Sequence, residues 1–397
     1  MSRSFRYFSG PVFSWVAMLA VVFSFSDAYS SSTETVLYAF TDRGHDGSGP
    51  TGSLTMDGTG NLYGTTQGGG RRCAGTAFEV ATDGTKTTLH CFRDLDGTDP
   101  SAGMILAHGK LYGTTWQGGA NGYGTVFEIG RHETVLYNFC SQGNCADGAS
   151  PFASLVADKA GNLYGVTTAG GTSNDGTVFR LAPGGIETVL HSFGGGPDGS
   201  GPCGALISDK IGNLFGVTQY GGTNNAGTVF EVSSKGAEAV LYSFEGGTDG
   251  SIPCGALLTD KEGNYYGTTY EGGANGKGTV FELSPDGNET ILYSFCSRTD
   301  CADGSQPTSG VIADGKGNFY GTTLFGDANS SCDCGVVFEL TRDGIEKVIH
   351  AFSGGSDGEA PESGLILDSA GNLYGTTASG GGGCFTGGCG TVFKITR

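Results

Sequence analysis

The chain has 397 residues, 75 of them glycine, and 40 acidic against 21 basic side chains, for a net charge of −19. Such an excess of negative charge is repelled by phosphate backbones, which argues against nucleic acid and anionic membrane surfaces as partners. Glycine at this frequency could signal collagen or a low-complexity chain. No Gly-X-Y period occurs, however, and aromatic and β-branched residues recur at fixed offsets, so glycine serves as punctuation between strands.

At the amino terminus, Arg3 and Arg6 precede an apolar run from Val12 to Phe25, followed by Ser26-Asp27-Ala28. Charged, then apolar, then small is the layout of a secretory signal peptide, here residues 1–28 with cleavage after Ala28. The run is short beside the roughly 20 apolar residues of a membrane span. The remainder, 29–397, is expected to be one domain, secreted to the extracellular space or the periplasm and not inserted in a membrane.

Twelve cysteines fit an oxidising destination. Cys140 with Cys145 and Cys296 with Cys301 recur as Cys-Ser-x-x-x-Cys at equivalent places, and Cys384 with Cys389 looks similar, so each pair is expected to close its own loop. Cys73 and Cys91 flank a hairpin turning at Asp83-Gly84, which brings them opposite each other. Partners for Cys203, Cys254, Cys332 and Cys334 stay open. Cys332-Asp333-Cys334 has no second Cys-x-x-Cys or His pair at zinc spacing, and no metal or cofactor is expected.

From Glu34 onward one unit recurs seven times with a period of about 51 residues, the mark of a propeller or solenoid. Each copy has an alternating strand such as Glu289–Phe295, and then a link Asp-Gly-x-x-Pro, which starts at Asp46, Asp96, Asp147, Asp198, Asp249, Asp303 and Asp357. An apolar strand follows, as in Gly255-Ala256-Leu257-Leu258-Thr259, then a tight Asp-x-x-Gly-Asn turn such as Asp260–Asn264. Tyr265-Tyr266-Gly267-Thr268-Thr269, a Gly-Gly loop and Gly278-Thr279-Val280-Phe281-Glu282-Leu283 complete the copy. Every junction carries the Gly, Pro, Asn or Asp that its turn requires, giving four antiparallel strands per repeat. In the second copy His108-Gly109-Lys110 replaces the longer turn and predicts a tighter one.

The array starts with the fourth strand of a unit, Glu34–Phe40, and its last element is the third, Gly390–Ile395. Pairing the two would close a ring without an unpaired edge. The expected fold is therefore all-β, a seven-bladed β-propeller of four-stranded antiparallel blades closed by the N-terminal strand on the C-terminal blade. A β-helix is the alternative, but the period is long for one coil and tight turns force antiparallel hairpins.

In such blades the Asp-x-x-Gly-Asn and Pro-Asp-Gly turns share a uniform face, while the links and Gly-Gly loops share a variable one, where function is expected. On that face Trp116, Tyr220, Tyr270 and Phe325 are candidate ligand platforms, with Arg71, Arg72 and Tyr123 nearby; packing between loops is their alternative role. His45, between Asp42 and Asp46, is the histidine placed most like a site residue. His90, His191 and His350 replace the tyrosine of Leu-Tyr-x-Phe and read as packing positions. The seven link aspartates could ring the channel and bind a cation, but turn chemistry, with Asp bonding the backbone ahead of it, is the expected role. The glutamates closing the third strands recur in register and read as structural; no nucleophile elbow, zinc helix or phosphate loop appears, and no catalytic residue is assigned.

Asn-Leu-Tyr-Gly-Thr-Thr-x-x-Gly-Gly, then Gly-Thr-Val-Phe-Glu-Leu and Glu-Thr-Val-Leu-Tyr-Ser-Phe, resembles the GloVer repeat, also described as the extracellular HAF-type repeat, over essentially all of Glu34–Arg397. The second copy departs by lacking the Gly-Asn step, and the sixth by Gly326-Asp327 in place of Gly-Gly. The resemblance implies an exported repeat protein and supplies no catalytic residue. The function expected is a secreted, monomeric binding or interaction module presenting its glycine-loop face to a glycan, peptide or cell-surface partner. The alternatives are a carbohydrate-active enzyme of lyase or glycosidase type at the channel mouth, or a structural cell-envelope protein.

Overall fold

In the fifth copy the repeat becomes a blade of strands Leu258–Thr259, Tyr265–Thr269, Thr279–Leu283 and Glu289–Ser294, each antiparallel to the next. The computed structural model describes Met1 and residues 32–41, 43–69, 73–326, 332–384 and 388–397. The expected signal peptide, together with Asp42, Arg71 and Arg72, lies outside the described residues. The unit Ser32–Arg397 is built from seven such sheets. It is a seven-bladed β-propeller. Among the described residues there is no α-helix, only four single 3-10 turns in the links, and no helix long and apolar enough to cross a membrane.

The repeated residues explain the blade. Gly267 is the cross-strand partner of Phe281, and a Cβ on Gly267 would stand 2.6 Å from the tip of the Phe281 ring. The seven equivalent glycines leave the same space, with clearances of 2.5–2.7 Å. Glycine here makes room for an aromatic ring lying across the neighbouring strand. Phe281 then receives Phe244, the residue just past the outer strand of the preceding blade, at 5.2 Å between ring centroids. Seven such edge-on or tilted pairs, 4.7–5.2 Å apart, run around the ring, and every phenylalanine in them has 0% exposure. Each pair adds roughly 0.5–1.5 kcal/mol beyond its buried area. The outer strands bulge at one residue, Leu292 in the fifth blade, where the register slips between Val280 and Phe281.

The last blade is composite. Thr33–Ala39 pairs antiparallel with Thr391–Thr396, Thr33 opposite Thr396, and completes a sheet with Leu373–Thr377 and Ile366–Leu367. The second blade turns on two residues, His108 at φ 50° and Gly109 at φ 75°, both left-handed as a two-residue hairpin demands.

The inner strands are shorter than the sequence predicts. Of Gly255–Thr259 only Leu258–Thr259 pairs regularly. The residues before them run against neighbouring blades at the axis, so that a Cβ on Gly310 would collide with the carbonyl oxygen of Ala256 and one on Gly103 with that of Ser53. Crowding between blades, not pairing within a sheet, dictates these positions. Gly310→Ala is expected to lower unfolding free energy by roughly 1–3 kcal/mol or more through overpacking. A denaturation midpoint equal to that of the parent would show that the axis expands freely.

Candidate functional site at the channel mouth

Each link ends on a buried proline: Pro50, Pro100, Pro151, Pro202, Pro253, Pro307 and Pro361. The proline fixes the chain's entry, and the next residue opens the inner strand. Those next residues are Thr51, Ser101, Phe152, Cys203, Cys254, Thr308 and Glu362, and all seven line one cavity of about 760 Å³. Gln67, Gln219 and Tyr270, at equivalent places just before the Gly-Gly loops, line it too, as does Tyr220. Farther down, aliphatic residues of the inner strands, including Leu54, Met104 and Leu257, form the walls.

The ring of seven is not mixed at random. In blade order, Thr308, Glu362, Thr51 and Ser101 are consecutive and polar, while Phe152, Cys203 and Cys254 are consecutive and face them across the axis. Cys203 and Cys254 are joined to each other, stapling the fourth blade to the fifth at the mouth. Among the described residues Glu362 is the one carboxyl group in the lining, which there holds no lysine, arginine or histidine. Burial pushes its pKa up. Tyr270 is raised as well, by burial first and then by the charges of Glu271 and Glu362. A two-carboxylate glycosidase needs a pair of acids flanking the scissile bond, and the described lining holds Glu362 alone.

The profile of the Gloeobacter/Verrucomicrobia repeat matches residues 18–210, 134–303 and 298–397. The chain belongs to that repeat family. No curated protein sequence matches it. Among solved structures, Streptogramin B lyase is similar at 13% identity and TM-score 0.62, over 94% of this chain and 99% of that one. The extracellular domain of a putative one-component system from B. thetaiotaomicron is similar at 13% identity and TM-score 0.56, over 92% of this chain and 42% of that one. At such identities the likeness shows the propeller fold.

In this GloVer-repeat propeller the candidate residues part company. Tyr220, 45% exposed, and Tyr270 both line the cavity. Trp116 and Phe325 are half-buried and are not among its lining residues. His45 is exposed on a separate shallow recess with Thr88, His90, Arg93 and Asp96, its Nδ1 3.1 Å from Cys73 Sγ. No role is assigned from the sequence to the residues after the prolines; their signal is that one repeat position carries five different residue types among the seven copies. Disulfides join Cys73–Cys91, Cys140–Cys145, Cys296–Cys301 and Cys384–Cys389, and also Cys332–Cys334, whose partners the sequence leaves open.

The link aspartates do not ring the channel. They lie at the outer seams between blades, and they bond the backbone behind them rather than ahead: Ser297 N–H donates to Asp303 at 2.8 Å and Glu245 N–H to Asp249 at 2.8 Å. The outer-strand tyrosine or histidine bonds the same carboxylate, as with Tyr293 to Asp303 at 2.7 Å and His191 to Asp198 at 3.1 Å. His90 and His191 are thus hydrogen-bonded as well as stacked, His191 lying 4.8 Å from Phe193, while His350 approaches Asp357 at 3.7 Å.

From the next blade a glutamate approaches six of the seven aspartates: Glu133 toward Asp96, Glu187 toward Asp147, Glu238 toward Asp198, Glu289 toward Asp249, Glu346 toward Asp303 and, across the closure, Glu34 toward Asp357. Burial first, and then the facing aspartate, raises these six carboxyls to about 7; at Glu346 the Arg298 guanidinium, 2.6 Å away, opposes the rise. One oxygen of each is buried without a hydrogen-bond partner. In the seventh seam Lys86 stands where the others have glutamate, 3.1 Å from Asp46, with 4% of its side chain exposed. The groups His90–Asp96–Glu133 and His191–Asp198–Glu238 bring metal-ligand atoms within 4.8 Å, and they are two copies of this seam.

Proposed function

We propose that the protein is an exported binding module that takes a small ligand, or the end of a larger one, into the mouth of its channel. One observation carries the reading. The residues that differ among the seven copies at the post-proline position converge on a single cavity, while the uniform residues are absorbed in building blades. A cavity walled by aliphatic and aromatic side chains with a few polar groups at its rim is the ordinary form of a small-ligand site. Export is supported by the charged-apolar-small amino terminus and by the six disulfides, which persist in oxidising compartments. The Tyr220 and Tyr270 rings at the mouth suit a sugar face or a peptide side chain.

The test is a fluorescence titration with a neutral, environment-sensitive naphthalene dye. Saturable binding at one site is expected, weakened about tenfold or more in Tyr270→Ala with thermal unfolding unchanged. Absence of saturable binding to the parent protein would overturn the reading.

A further inference from the structure

The mouth has a polarity that narrows what it binds. Its post-proline ring divides into a hydroxyl-bearing half that contains Glu362 and an apolar half formed by Phe152 and the Cys203–Cys254 bridge. Among the described residues Glu362 is the single full charge in the lining, with no lysine, arginine or histidine beside it there. The phenol of Tyr270 lies within its electrostatic reach. An aromatic face beside a carboxylate is the arrangement that attracts an ammonium group, through the ring quadrupole and the charge together. The protein's net charge of −19 further enriches cations around it.

We propose that the ligand of the channel mouth is an amphipathic amine, seated with its ammonium group at Glu362 beside Tyr270 and its apolar body across the axis against Phe152. The proposal rests on the binding reading above and adds the charge of the ligand and its direction in the site. A carboxyl group in an apolar cavity is costly to ionise alone, and burial indeed holds the Glu362 carboxyl above its usual range. A ligand ammonium removes that penalty, whereas a neutral or anionic group of the same shape does not. Thr51 and Thr308, one on each side of Glu362 in the ring, supply hydroxyls for the remaining ammonium hydrogens.

Calorimetric titration of the full chain at neutral pH with phenethylamine and with phenethyl alcohol, which differ in the charged group, tests this directly. The amine is expected to bind about tenfold or more tightly than the alcohol in the parent protein, and the ratio is expected to fall toward one in Glu362→Gln. A second variant, Thr308→Lys, places an ammonium group of the chain's own beside Glu362 and is expected to abolish the preference by occupying the same charge. Equal affinity of amine and alcohol in the parent, with dye binding intact, overturns the proposal and leaves the binding reading standing. Loss of dye binding overturns both. A preference for the amine that survives in Glu362→Gln and Thr308→Lys also overturns it, since the general negative field would then be the cause.

Discussion

Lys86→Met is expected to lower the unfolding free energy by roughly 3–5 kcal/mol at neutral pH, the loss typical of removing one member of a buried ion pair. Lys86 reaches across the seam between the composite blade and the first, donating to the Asp46 carbonyl at 2.7 Å and to Thr88 at 2.7 Å. Burial lowers its pKa, and Asp46 acts against that fall. Burial likewise pushes the Asp46 carboxyl up, while bonds from Tyr38, Thr41 and Lys86 more than offset it and leave it below its ordinary range. Methionine preserves the apolar stem and leaves Asp46, itself 9% exposed, as an uncompensated charge. Urea denaturation at constant slope measures the change. A loss below about 1 kcal/mol, the figure for solvent-exposed pairs, would mean that the seam is wet in solution.

Thermal stability is expected to be higher near pH 5 than near pH 8, by the sum of six small contributions. Glu34, Glu133, Glu187, Glu238, Glu289 and Glu346 have folded pKa values of about 7 against an ordinary 4.5. The folded protein therefore holds protons at these sites that the unfolded chain releases between those two values. Their contribution is complete below the unfolded pKa and is lost as pH rises through the folded one. Aspartates act in the opposite sense. Asp147 and Asp303 have depressed pKa values, because the bonds they accept from Tyr137, Tyr293 and nearby backbone outweigh a rise from burial. Their contribution is present above the ordinary carboxylate range and is lost as pH falls below it. The two trends place the maximum in mildly acidic solution. Melting temperatures taken from about pH 3 to pH 9 trace the curve. A melting temperature that is flat or rises between about pH 5 and pH 8 would show that the paired carboxyls are screened or neutralised by other means.

The propeller was readable because its determinants are local and repeated. Alternation marks the strands, Asp-Gly and Gly-Asn mark the turns, and a glycine opposite each phenylalanine marks the interlock, as at Gly267 and Phe281. Part of the mouth was readable for a similar reason, since Tyr220 and Tyr270 are large side chains in glycine loops. Trp116 occupies the same repeat position as Tyr270, between Thr-Thr and Gly-Gly in both copies, yet stays out of the lining, so its surroundings in sequence do not distinguish the two. The seams were not readable. They join residues 37 to 43 positions apart, or, for Glu34 and Asp357, opposite ends of the array, and nothing in either segment announces the other. Glu362 was missed because a glutamate after a link proline resembles any other exposed acid until the ring brings six unlike residues around it.

The pairing of Thr33 with Thr396 has a mechanical consequence. Two antiparallel strands held at the same end separate like a zipper, one hydrogen bond at a time, whereas strands pulled from opposite ends must break the whole ladder at once. Tension applied at these two residues would load the closing ladder in its weaker direction. The strand Thr33–Ala39 would peel away first, before force reached the hairpin-linked blades, so the clasp of the ring is also its mechanical fuse.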